Sequence, residues 1–133
     1  MPNTAFRTIN DLVNETLANL GVLAAGQPTD PEDYNYVFEK VDAIFRKLAQ
    51  LEICYIPDPS NIPGAWFADL ADILAGECAV KFGATPQDLV SLLTKGLGGP
   101  PSPVQLGAGS AALSLKQQLR LRATYEPLRA LYF

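Results

Sequence analysis

Apolar side chains recur three and four residues apart over much of the chain, and the polar stretches between these runs carry helix caps. Ile9, Leu12, Val13, Thr16, Leu17 and Leu20 form one such stripe, the period of a helix with one buried face. Thr8 precedes it as an N-cap, with Asp11 three residues on in a relative of the capping box, and Gly21 follows where a left-handed residue ends a helix. The spacing therefore predicts a first helix over 9–20, with Val22 and Leu23 folding back onto its stripe. A second helix opens at Asp30, an N-cap, with Pro31 in the first helical position and Glu32 and Asp33 at the positive end of the dipole. Its apolar face runs Tyr34, Val37, Phe38, Val41, Ile44, Phe45, Leu48, Leu51, and its opposite face carries Glu39, Lys40, Asp42, Arg46 and Lys47. Ile53 to Ile56 is a short apolar run, and Pro57 and Pro59 after it forbid helix. An extended connector is expected there, able to pair as a strand with an edge offered by a neighbouring subunit.

A third helix is expected from Pro63 to Phe82, with Trp66, Phe67, Leu70, Ile73, Leu74, Cys78 and Phe82 in period. Ala65, Ala68, Ala71, Ala75 and Ala79 would let neighbours approach closely, and Gly83 would end it. Thr85-Pro86-Gln87-Asp88 opens a fourth helix with Leu89, Leu92, Leu93 and Leu97 inward, stopped by Gly98-Gly99-Pro100-Pro101. Residues 98–109 read as a Gly/Pro-rich linker. Ser110 to Ala123 reads as a last short helix whose leucines at 113, 115, 119 and 121 fit no single period. Pro127 interrupts the remainder, which reads as an extended arm. The expected class is all-α: a four-helix bundle-like body at 1–97, the linker at 98–109, and a C-terminal helix and arm at 110–133.

Composition narrows the chemistry. Among 133 residues there is no histidine, which removes the usual neutral-pH base and the commonest metal ligand. Cys54 and Cys78 are the only cysteines, too few for a disulfide scaffold or a four-thiolate zinc site, and they read as small buried apolar groups in a reducing compartment. Asp69 and Asp72 lie three apart on one helix surface without further ligands in spacing, the pattern of a solvated face. The glycines at 96–99 lack a following Lys-Ser/Thr step and make no phosphate loop. No catalytic residue, cofactor or metal is expected, so the chain does not read as an enzyme. The longest uncharged run, Gly96 to Leu115, holds five glycines and three prolines and cannot be a spanning helix. Met1–Asn10 is polar and unlike a leader peptide; a soluble protein without membrane association is expected.

Charge is divided unevenly. Residues 1–100 carry six Lys/Arg against thirteen Asp/Glu, net −7, whereas 101–133 carry Lys116, Arg120, Arg122 and Arg129 against Glu126, net +3. An acidic body with a basic tail suggests a tail that meets another copy of the body. Tyr125, Leu128, Leu131, Tyr132 and Phe133 add large apolar groups to a segment too short to bury them on itself, with Arg120, Arg122 and Arg129 as charged companions. These eight residues are the expected interface. A different reading takes 79–90 as a helix-turn-helix with Gln87, Ser91, Thr94 and Lys95 toward DNA, against which stand Asp88 and the acidic surroundings.

The order and spacing of these caps and stops resemble the head-to-tail adaptor (portal-bound connector) family of tailed phages, over about residues 5–97. The likeness rests on Asp11-Leu12-Val13 leading to Leu20-Gly21-Val22-Leu23, then Gly26 and the Asp30-Pro31-Glu32-Asp33 opening of a long helix. A Tyr55-to-Pro63 connector and a third helix ending Lys81-Phe82-Gly83 complete it. The resemblance implies a homo-oligomeric ring, commonly a dodecamer, beneath the portal protein. Such a ring would link capsid to a downstream tail or nozzle protein, extend the channel through which double-stranded DNA passes, and help retain packaged DNA. It implies residence in the virion at the head-tail junction after assembly in the bacterial host cytoplasm. A helix-turn-helix DNA-binding regulator, or a stopper or tail-completion protein one layer further down, are the alternatives.

Overall fold

A computed structural model describes residues 6–22, 30–56, 58 and 60–118. The chain is mostly helical. In order, β1 (Phe6–Arg7), α1 (Ile9–Asn19), α2 (Pro31–Gln50), β2 (Ile62–Pro63), α3 (Gly64–Cys78) and α4 (Pro86–Lys95) are followed by a fifth helix, α5, over 110–118.

The capping chemistry explains the helix starts. At α1 the Thr8 hydroxyl accepts from the Asp11 amide at 3.2 Å, and the Asp11 carboxylate accepts from the Thr8 amide at 3.3 Å, a reciprocal capping box. Asp30 accepts from the Glu32 amide at 3.0 Å, and Thr85 from the Asp88 amide at 3.1 Å, each ahead of a first-position proline. Gly21, at φ +77°, closes α1: its amide donates to the Ala18 carbonyl and the Val22 amide to that of Leu17, the paired bonds of a Schellman ending. Val22 stays 42% exposed instead of folding back, and Leu23 lies outside the described residues. The same bond pair closes α2, with Glu52 at φ +57° in the left-handed position. A non-glycine residue there carries steric strain.

Helix α3 is the axis. It packs against α1, α2 and α4, and accordingly Trp66, Phe67, Leu70, Ala71, Ile73, Leu74, Ala75, Gly76 and Cys78 are all buried. A helix touched on several sides has no wide polar face. Ala71, Ala75 and Ala79 are buried as close-approach positions, while Ala65 and Ala68 face solvent. The helix ends at Cys78, short of the expected Phe82, and Ala79 to Gly83 continue as tight turns.

Among the described residues of the connector after α2, 51–56, 58, 60 and 61, no strand forms; Ile53, Cys54 and Ile56 are buried and Tyr55 is 69% exposed. The strand pairing lies further on. Arg7 pairs with Ile62 and Phe6 with Pro63, antiparallel, and the Arg7 guanidinium sits 4.9 Å from the Phe67 ring centroid.

Residues 98–109, expected as a linker, are instead folded into the body. The Gly98 amide donates to the Leu93 carbonyl, the Gly99 amide to Val104, and the Gly107 and Gly109 amides to Leu97. The Ser102 hydroxyl lies 3.0 Å from that of Thr94 and accepts from the Val104 amide at 3.1 Å. The Ala112 amide then donates to the Gly96 carbonyl at 3.2 Å, joining α5 to the end of α4. Ala111, Ala112 and Leu115 enter the same core as Leu12, Val41 and Ile73. The expected division at residue 97 is therefore absent from the described core. Glycines without side chains let backbone strands touch, so this composition serves packing here and not freedom of motion.

Candidate interaction surfaces

The expected interface residues, Arg120, Arg122, Tyr125, Leu128, Arg129, Leu131, Tyr132 and Phe133, all lie outside the described residues. What is described is the helix that leads to them. Helix α5 is anchored by Leu115, fully buried, and by Ser114, whose hydroxyl bonds the Asp69 side chain of α3. Leu113 points outward at 51% exposure, and Leu106 in the preceding loop is also exposed.

Three helix ends meet to form a groove. The end of α1 contributes Ala18, Asn19, Leu20 and Gly21, the turns after α3 contribute Ala79, Phe82, Gly83 and Ala84, and α4 contributes Asp88, Ser91 and Leu92. Its volume is about 430 Å³. The geometry follows from the stops: Gly21 and Gly83 both take positive φ and turn the chain away before a further helical turn can fill the space. Carboxylates gather beside it. Asn19 donates to Asp72 at 3.4 Å. Burial pushes the Asp72 carboxyl up, Lys95 pulls it down, and Asp69 and Glu15 push it up further. Asp69 is likewise raised by burial, against the lowering effect of its bond from Ser114. Neither aspartate stands on the freely solvated face the sequence suggested; both are half-buried.

A second surface belongs to the first half of α2. Tyr34 and Phe38 stack at 5.9 Å between centroids, leaving Phe38 46% exposed. Tyr36 meets the edge of Phe82, and the ammonium groups of Lys40 and Lys81 lie 5.3 and 5.6 Å from its ring centroid. Glu32, Asp33 and Glu39 surround that ring. Lower on the same helix Lys47 pairs with Glu77 of α3 at 3.3 Å, tying the two helices together.

Burial pushes both thiols up to about 11, so neither cysteine is poised as a nucleophile. Among the described residues no three His, Cys, Asp or Glu side chains converge to hold a metal ion, and no helix is long and apolar enough to cross a membrane. Of the four side chains proposed to face DNA, Thr94 is turned inward, its hydroxyl donating to the Val90 carbonyl at 2.7 Å and meeting Ser102. Lys95 faces Asp72. Gln87 and Ser91 remain exposed, beside Asp88. The groove itself was invisible in the sequence, because one of its walls comes from residues 18–21 and the others from 79–92, about sixty residues further on, and each wall residue is unremarkable alone. Set beside known proteins, the chain matches no family model, no curated protein and no solved structure.

Proposed function

We propose that this protein is a structural head-to-tail adaptor: a helical, four-helix bundle-like body that assembles as a ring beneath a phage portal, with C-terminal arms that hold neighbouring chains together. The division of charge carries the reading, net −7 over residues 1–100 against net +3 over residues 101–133. Two of the caps and stops on which the family resemblance rests lend support, since Gly21 and Asp30 act as helix boundaries, whereas α3 ends at Cys78, ahead of Lys81-Phe82-Gly83. Carboxylates exposed on α2, such as Glu32, Glu39 and Asp42, would line a path for DNA, where like charge keeps phosphates from adhering. The arm would contribute affinity through its aromatic residues and register through its arginines.

The test is the mass of the chain in solution, alone and mixed with a portal ring, for the full protein and for a chain ending at Gln118. All of the described core lies between Leu12 and Leu115, so the cut belongs after 118 and not at the expected boundary of 110. Rings or portal-bound copies that require residues 119–133 are the expected result. A full chain that stays at 14.3 kDa under both conditions refutes the proposal.

A further inference from the structure

We draw no further inference here: the strongest candidate, the groove between the ends of α1, α3 and α4, is walled by Asn19, Asp88 and Ser91 as much as by Leu20, Phe82 and Leu92, and nothing in the structure shows what covers it.

Discussion

Replacing Gly109 by alanine separates a packed loop from a linker. A methyl carbon at 109 would overlap the Gly96 carbonyl oxygen and lie 2.8 Å from the Gly98 amide nitrogen, about 0.6 Å inside ordinary contact. Both obstacles are backbone, so no rotamer change relieves them. The strands must part, which loosens the Gly109-to-Leu97 and Ala112-to-Gly96 hydrogen bonds at 3.3 and 3.2 Å, each worth about 1 kcal/mol net. Parting them also lifts α5, whose Leu115 is fully buried, and a leucine side chain returned to water costs about 1.5–3 kcal/mol. The expected loss is therefore about 3–5 kcal/mol, a large part of the ~5–15 kcal/mol that holds a domain folded. Gly83→Ala is the control. Its φ of +78° is unfavourable to alanine, but nothing lies within 4 Å of the new carbon, so only about 1 kcal/mol of conformational strain is expected. Urea unfolding followed through Trp66, the single tryptophan and 5% exposed, gives both values. With a slope of about 2 kcal/mol per molar, Gly109→Ala should lower the midpoint by about 1.5–2.5 M and Gly83→Ala by about 0.5 M. A Gly109→Ala midpoint equal to the wild type, or to the control, would refute the packed loop.

Glu52→Gly should raise stability by about 0.5–1 kcal/mol in the same assay, because glycine relieves the left-handed strain at φ +57° while adding some freedom to the unfolded chain; a loss would mean the Glu52 side chain makes a contribution that outweighs the strain. Asp72→Asn should raise the melting temperature at pH 7. Burial raises the native Asp72 carboxyl above the ordinary 3.8, so its stabilising proton uptake is complete below that value and is lost as pH climbs through the native one. The advantage of asparagine should accordingly close on acidification toward 3.8, and an advantage that grows in acid would reverse the sign assigned here. Cys54 and Cys78, buried and raised to about 11, should resist iodoacetamide at pH 7 until urea unfolds the chain; rapid labelling of the native protein would show that one of them is open.

Helix boundaries were legible in the sequence because their causes are local. Thr8 and Asp11, or Thr85 and Asp88, satisfy amides only three residues away, and Pro31 and Pro86 suit the first helical position in any surroundings. The apolar period of α2 likewise named Val37, Val41, Ile44, Phe45 and Leu48 as buried, since one face of an isolated helix is set by its own geometry. Glu52 escaped notice for the converse reason: its left-handed turn shows no glycine, and the pull of Ile53 into the core, fully buried after the bend, is a tertiary effect. The β1–β2 pairing was equally silent, two residues matched across more than fifty with no alternation to announce them.

What the residues determined by themselves was the number and placing of the first four helices and the separation of an acidic body from a basic tail, properties that depend on neighbours within a turn or on a sum of charges. The tertiary structure alone decided that α3 would be enclosed, that three helix ends would leave a groove, and that the glycines from 96 to 109 would be packing residues. A glycine in a mobile chain and a glycine pressed against another backbone are the same letter; only the approach of Gly96, Gly98 and Gly109 to one another distinguishes them, and that approach is set by where the helices on either side have already been buried.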